Sequence, residues 1–199
     1  EGAEVLTNVV RGASELGIKT LTVYAFSTEN WVRPESEIEA VMNIFELYLL
    51  RKKEHMIRDG VRLDGIGDLS RLPQRVQDAF YLTKAATEHC DRINLVLALN
   101  YGARDEIRRA LAKIIESGIS SAELTEEIIA KHLDTNRWGD PDLLIRTSGE
   151  MRVSNFLLWQ ISYAEIYVTH VLWPDFSPKQ LLDAIMAFQK RSRRIGGGV

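Results

Sequence analysis

Val61-Arg-Leu-Asp-Gly-Ile66, a helical stretch from Pro73 to about Glu88, and the apolar run Arg92-Ile-Asn-Leu-Val-Leu-Ala-Leu99 decide the fold class. Two short strand-like runs joined by a longer helical pattern form the repeating unit of a parallel sheet with helices on its faces. The alternation continues in both directions. Upstream, a helix from about Gly2 to Leu16 closes at Gly17 and feeds a strand from Lys19 to Ala25. A second helix then runs from about Glu35, after Pro34, to about Arg58 and stops at Asp59-Gly60. Downstream come helices near Arg104–Glu116 and Glu126–Leu133, strands Leu143–Arg146 and Ala164–Val168, and a final helix from Pro178 to about Arg194. The expectation is one α/β domain over residues 1–199, with a mostly parallel central sheet of five visible strands flanked by helices. No internal repeat, low-complexity segment or linker interrupts it. Ligands of such sheets bind beyond the carboxyl ends of the strands. The turns Ser27–Arg33, Gly67-Asp68, Asn100–Arg104 and Arg146–Ser154 are therefore where chemistry is expected.

The chain has 199 residues, 45% of them hydrophobic, and a net charge of -3. Its charges are interspersed, so no overall field points to nucleic acid or to an anionic membrane, and any anion site is local. The lone Cys90 has no CxxC or metal-like neighbourhood, which fits a reducing, cytoplasmic setting. No run of about 18 apolar residues and no signal-peptide order is present. The chain enters an amphipathic helical pattern (Val5, Val9, Val10, Ala13, Leu16) within a few residues of its start, and so reads like one cut at an internal boundary.

In Asp142-Leu-Leu-Ile-Arg-Thr-Ser-Gly-Glu-Met-Arg-Val-Ser-Asn-Phe156 an apolar strand delivers Arg146, and a turn then presents Arg152, Ser154 and the backbone amides around Gly149. Two guanidiniums and a hydroxyl on one turn suit a diphosphate, because the arginine fork donates paired, charge-assisted hydrogen bonds to phosphate oxygens. Structural ion pairs of Arg146 and Arg152 with Glu150 and Asp142 are the alternative. Tyr24-Ala-Phe-Ser-Thr-Glu-Asn-Trp-Val-Arg-Pro34 leaves a strand for a loop dense in hydrogen-bonding groups: a lid over a ligand, or an ordinary connection whose Ser27, Thr28 and Asn30 satisfy turns and caps. Ala40-Val-Met-Asn-Ile-Phe-Glu-Leu-Tyr-Leu-Leu50 is apolar nearly all round. It could line a hydrophobic tunnel together with the strand from Ile93 to Leu99, pack into a dense core, or form a dimer interface. Glu165 lies in an apolar strand-like run and must meet an arginine, a metal or a ligand. The basic run Lys190–Arg194 suits a helix C-terminus, or its tail reaches a phosphate. His55, His89, His132 and His170 show no metal-ligand spacing, and no GxGxxG, Walker, GxSxG or zinc motif occurs.

The loop Tyr24–Pro34, the turn Asn100-Tyr-Gly-Ala-Arg104, the block Asp142–Asn155 with Phe156-Leu-Leu-Trp-Gln160, and Tyr163-Ala-Glu165 through Leu172-Trp-Pro-Asp-Phe176 together resemble the bacterial undecaprenyl diphosphate synthase family, in order and over essentially the whole chain. The resemblance implies a parallel-sheet fold with a hydrophobic tunnel, and a homodimer. It also implies a Mg2+-dependent condensation of isopentenyl diphosphate onto an allylic diphosphate such as farnesyl diphosphate, forming cis double bonds. The long polyprenyl diphosphate would partition to the membrane as precursor of the lipid carrier for cell-wall synthesis. Arg146, Arg152 and Ser154 look like binders of isopentenyl diphosphate, and Glu165 like the acid that assists that site and its magnesium. Ser27, Glu29, Asn30, Trp31 and Arg33 fall in the family's flexible catalytic loop, with Asn30 catalytic and Ser27, Trp31 and Arg33 contacting substrate. Met42, Phe45, Leu49, Ile93 and Leu95 look like tunnel walls, and Arg194 and Gly196 match a C-terminal RxG element. Two departures are visible. The family's DGNxRWA motif is absent, Glu1-Gly2-Ala3 aligning just downstream of it, and Met151 stands where many bacterial members carry histidine. A non-catalytic partner subunit, or a phosphate-binding module without turnover, are the rival readings, although a complete diphosphate turn has no use in a subunit kept only for its surface.

Overall fold

The computed structural model describes residues 2–191. The elements run α1 (Gly2–Glu15), β1 (Thr20–Ser27), α2 (Glu35–Asp59), β2 (Val61–Ile66), α3 (Gln74–Ala86), β3 (Ile93–Tyr101), α4 (Ala103–Glu116), α5 (Glu126–His132), β4 (Leu143–Arg146), β5 (Glu165–Val168) and α6 (Pro178–Gln189). Single 3-10 turns occupy Thr28–Val32, Leu69–Arg71, Gln160–Tyr163 and Trp173–Asp175. The expected alternation is present, and β2 and β4 have the bounds expected for them. The last helix ends at Gln189 rather than near Arg194; Arg194 and Gly196 lie outside the described residues.

Two compact units divide the chain: Lys19–Gly139, and Glu1–Ile18 with Asp140–Val199. In the first, the strand order is β1-β3-β2, all parallel. β3 is its central strand, and Ile93, Leu95, Val96, Leu97, Ala98, Leu99 and Tyr101 are all buried. A strand covered on both faces reads as a continuous apolar run for this reason. α2 ends at Gly60, whose φ of 72° lets its N–H cap the last turn on the carbonyls of Met56 and Ile57. β2 carries one buried charge, Asp64, which Lys84 and Arg137 neutralise.

In the second unit β4 and β5 pair in parallel, Leu143 opposite Glu165 and Arg146 opposite Val168. Among the described residues the five strands are thus hydrogen-bonded as three and two, in place of the single sheet expected. α1 packs on α6, and Leu6, Val9, Val10 and Ala13 are among its buried residues. A Cβ at Gly12 would stand 2.7 Å from Pro178 Cβ, so glycine sets how closely the helix approaches. Ser177 and Gln180 form the capping box that starts α6.

Candidate active site

The turn after β4 is built from unusual backbone. Of the five non-glycine residues with positive φ among the described residues, four are Ser148, Ser154, Asn155 and Leu157, and Gly149 joins them at φ 67°. Such conformations carry a cost, and they persist where the surroundings over-determine them. Here the anchors are the buried side chains of Phe156, Leu157 and Gln160 and three backbone bonds to the chain beyond β5. Thr169 N–H donates to Arg146 O (2.9 Å), Gly149 N–H to Thr169 O (2.8 Å) and Ser148 N–H to Val171 O (2.9 Å). These bonds correct one expectation, since the amides of Ser148 and Gly149 are occupied by carbonyls and do not face a ligand.

The groups left available to an anion are side chains. Arg146, at the carboxyl end of β4, has a buried Nε with no hydrogen-bond partner among the described residues. A buried, unpartnered guanidinium nitrogen is costly, and an anion removes the cost. Arg152 pairs with Glu150, as the structural alternative proposed, but the Arg152 side chain is 69% exposed. A pair so exposed is of little worth and is readily exchanged for a phosphate. Ser154 is exposed in the same loop.

Gly149 also meets His170, whose Nδ1 lies 2.7 Å from where a Cβ would stand. Gly149→Ala is expected to push the imidazole aside and weaken binding of inorganic diphosphate by about tenfold. The double variant with His170→Ala should recover most of that loss, leaving only the cost of the left-handed backbone, about 1–2 kcal/mol. Calorimetric titration of both variants checks this.

Glu165 opens β5, at the opposite end of the strand pair from Arg146. Its Oε2 accepts from Arg191 Nη1 at 2.5 Å. Of the three partners open to it from the sequence, it has an arginine. Among the described residues no group of three His, Cys, Asp or Glu could hold a metal ion. These side chains alone do not compose a magnesium site.

The loop after β1 lies in the unit Lys19–Gly139, whereas the β4 turn lies in the other. It is a 3-10 turn closed by its own side chains: Ser27 Oγ accepts the Glu29 N–H (3.1 Å), and Asn30 Oδ1 accepts the Ser27 N–H (2.9 Å). Asn30 Nδ2 and the exposed Arg33 guanidinium have no hydrogen-bond partner among the described residues. Trp31 packs edge-on against Phe26, with centroids 5.1 Å apart, and donates its Nε1–H to Asn100 Oδ1 at 2.7 Å. Beneath the loop, the Tyr24 hydroxyl donates to Tyr101 O at 3.0 Å. Burial foremost pushes the Tyr24 phenol up to about 12, with Ser27 opposing and Glu29 assisting. The protonated form is favoured by folding, so its contribution is complete below pH 10.0 and is lost as pH rises toward 12. In an ultraviolet difference titration, Tyr24→Phe should remove one tyrosine's share of the late-ionising phase.

The family model for prenyltransferases of the undecaprenyl diphosphate synthase type matches residues 1–196. The chain belongs to the undecaprenyl diphosphate synthase family. It is 49% identical over 199 residues to the isoprenyl transferase of Chlamydia pneumoniae, covering 98% of this chain and 80% of that one. To the isoprenyl transferase of Fusobacterium nucleatum it is 45% identical over 197 residues, covering 99% and 84%. Among solved structures it is similar to a probable undecaprenyl diphosphate synthase from Campylobacter jejuni, with a TM-score of 0.90, 39% identity, and 98% and 92% of the two chains covered. It is also similar to lavandulyl diphosphate synthase from Lavandula x intermedia in complex with dimethylallyl diphosphate, with a TM-score of 0.94, 36% identity, and 98% and 86% covered. The protein is therefore a prenyltransferase with an α/β, parallel-sheet fold.

Of the side chains that the resemblance assigned to a tunnel, Met42, Leu49, Ile93 and Leu95 are fully buried, and Phe45 stands half-buried and edge-on to Phe26. Thr83 Oγ1 donates to Leu49 O at 3.2 Å, tying α3 to α2 at this level. α2 is not enclosed all round within the described chain: Met42, Tyr48 and Leu49 face the core, while Ile44, Leu47 and Leu50 are exposed. Among the described residues no helix is long and apolar enough to cross a membrane.

Two features of this prenyltransferase went unread in the sequence. One is the role of Asn100. The other is the polar network behind it, in which Arg109 grips both carboxylate oxygens of Asp134 (3.0 and 2.6 Å), and Asp134 accepts the Gly67 N–H (3.0 Å). These residues are separated by up to 67 positions in the chain, and no local pattern joins them.

Proposed function

We propose that this prenyltransferase adds isopentenyl diphosphate units to an allylic diphosphate, farnesyl diphosphate for example, with cis geometry. The product is a long-chain polyprenyl diphosphate of the undecaprenyl type, a precursor of the lipid carrier used in cell-wall synthesis. The enzyme acts as a cytoplasmic homodimer, and its product partitions to the membrane. The observation that carries the reading is the buried, unpartnered Nε of Arg146 at the carboxyl end of β4, where an open parallel sheet places its ligands.

In this reading Arg146, Arg152 and Ser154 hold the diphosphate of the isopentenyl unit, Arg152 exchanging Glu150 for a phosphate oxygen. The fork geometry orients the group as well as neutralising it, so the nucleophilic double bond is presented in one direction. The allylic C–O bond breaks as diphosphate departs, a C–C bond forms to the terminal =CH2 carbon of the isopentenyl unit, and a proton leaves C2, beside the carbon left electron-poor, so that the new double bond forms between C2 and C3. Asn30 Nδ2, Trp31 and Arg33 serve the allylic substrate, as donors to its diphosphate and as an apolar wall. Met42, Phe45, Leu49, Ile93 and Leu95 line the path of the growing chain and keep water from the electron-poor carbon. Magnesium held by the substrates' phosphates would supply positive charge to the departing diphosphate. The Lavandula relative's complex with dimethylallyl diphosphate supports a fold able to take an allylic diphosphate.

The test is a condensation assay on the full-length protein with farnesyl diphosphate, radiolabelled isopentenyl diphosphate and Mg2+, with products resolved by length. Label in long polyprenyl chains is expected, and excess EDTA should abolish it. No incorporation would overturn the reading in favour of a partner subunit, and a product stopping after one addition would overturn the chain length.

A further inference from the structure

Asn100 sits where β3 leaves the register of β1: Phe26 pairs with Leu99 and Ser27 with Tyr101, so Asn100 has no partner across the ladder. Bulged positions of this kind re-aim a side chain. Its φ is 46° and it is 1% exposed. The Oδ1 accepts the Trp31 Nε1–H at 2.7 Å, and the Nδ2 donates to Asp68 O at 2.8 Å. An indole N–H can only donate and a carbonyl can only accept, so the amide has one workable orientation.

Both ends of this link are secured. Asp68 N–H returns to Asn100 O at 3.3 Å, and the preceding Gly67 is held by Asp134, itself gripped by Arg109. At the other end the Trp31 ring rests on Phe26, within the turn that Ser27 and Asn30 close. A plain left-handed turn would accept glycine at position 100. The side chain is needed only for its two hydrogen bonds, one of which fixes the aromatic ring of the substrate loop.

We propose that Asn100 is a positioning residue for the loop Ser27–Arg33, acting through the Trp31 indole to set the arrangement in which Asn30, Trp31 and Arg33 meet substrate. This rests on the assignment of that loop to substrate contact made above, whereas the Asn100–Trp31 coupling does not. Asn100→Gly keeps the backbone conformation and removes both hydrogen bonds. Asn100→Asp keeps an acceptor for the indole.

Two readouts on the full-length protein test the proposal. The first is the Trp31 indole signal in a proton–nitrogen NMR spectrum, identified by its loss in Trp31→Phe. It should shift and lose at least about tenfold protection from exchange in Asn100→Gly, and stay protected in Asn100→Asp. The second is steady-state condensation. Asn100→Gly should lower kcat/KM about 10- to 100-fold, the scale of a misplaced substrate contact. Asn100→Asp should recover most of that loss, and adding Asn100→Gly to Trp31→Phe should cost little more than Trp31→Phe alone. An unchanged indole signal in Asn100→Gly, or kinetic losses that simply add, would overturn the proposal. If Asn100→Gly does not fold, an exchange-labile indole in Asn100→Asp overturns it equally. Absence of turnover in the unmodified protein refutes the chemistry assigned to the loop and leaves the indole measurement to decide the coupling.

Discussion

Arg146→Ala is expected to lower kcat/KM for isopentenyl diphosphate about 10²- to 10³-fold, with the loss mostly in KM, while the thermal midpoint barely moves. The two halves of this expectation have different origins. A charge-assisted hydrogen bond contributes about 1.5–3 kcal/mol, and a fork that grips a phosphate with two of them accounts for the kinetic loss. The stability half follows from the free protein, where Arg146 Nε is buried and unpartnered. Removing a group that makes no internal bond there and carries a desolvation cost leaves the fold little worse off. Arg146→Lys should recover only part of the activity, because an ammonium offers a point charge without the fork. Unchanged affinity for isopentenyl diphosphate in Arg146→Ala would remove this residue from the substrate site. A large fall in the midpoint would return it to a structural role.

Gly67→Ala should be among the most destabilising single-methyl additions to the chain. The φ at Gly67 is +106°, and a Cβ there would lie 2.2 Å from Leu99 O and 3.0 Å from Asn100 O. Both obstacles are backbone of the central strand, so no side chain can swing aside. Strain of this backbone type costs about 1–3 kcal/mol by itself, and displacement of β3 adds to it. A total of about 3 kcal/mol or more corresponds to a midpoint lower by roughly 6–12 °C for a chain of this size. Gly118→Ala is the matched control. Its φ is +77° and a Cβ meets nothing within 4 Å, so only the conformational cost of about 1–2 kcal/mol applies. Equal midpoints for the two variants would show that the close approach of Gly67 to β3 does not matter. Because Gly67 precedes Asp68, the partner of Asn100, the same variant should also disturb the Trp31 indole.

The elements themselves were legible because each is encoded locally. The alternation of Val61–Ile66, a helix and Arg92–Leu99 announced a parallel sheet, and Gly17 and Gly60 marked helix ends through φ values of 78° and 72°. The sequence pattern ends β3 two residues short, since Asn100 and Tyr101 look like turn residues; Tyr101 belongs to the strand through its pairing with Ser27 of β1, and Asn100 is the unpaired residue before it. Within α2, the stretch Ala40–Leu50 reads as apolar nearly all round. The pattern counts apolar residues, but which of them meet a neighbour depends on α3 and β2, and Ile44, Leu47 and Leu50 meet none that covers them.

The candidate residues divide in the same way. Chemistry follows from residue type, so the sequence by itself determined that Arg146, Arg152 and Ser154 share one turn beyond a strand, that Asn30 and Trp31 share one loop, and that the motifs around them resemble a prenyltransferase. Only the tertiary structure decided which of their polar atoms are free. The amides of Ser148 and Gly149 are taken by the chain after β5, Glu165 is held by Arg191, Asn30 Oδ1 closes its own turn, and Arg146 Nε is left without a partner. Hydrogen-bond partners are set by distances between segments remote in the chain, and those distances exist only once the strands have paired and the helices have packed.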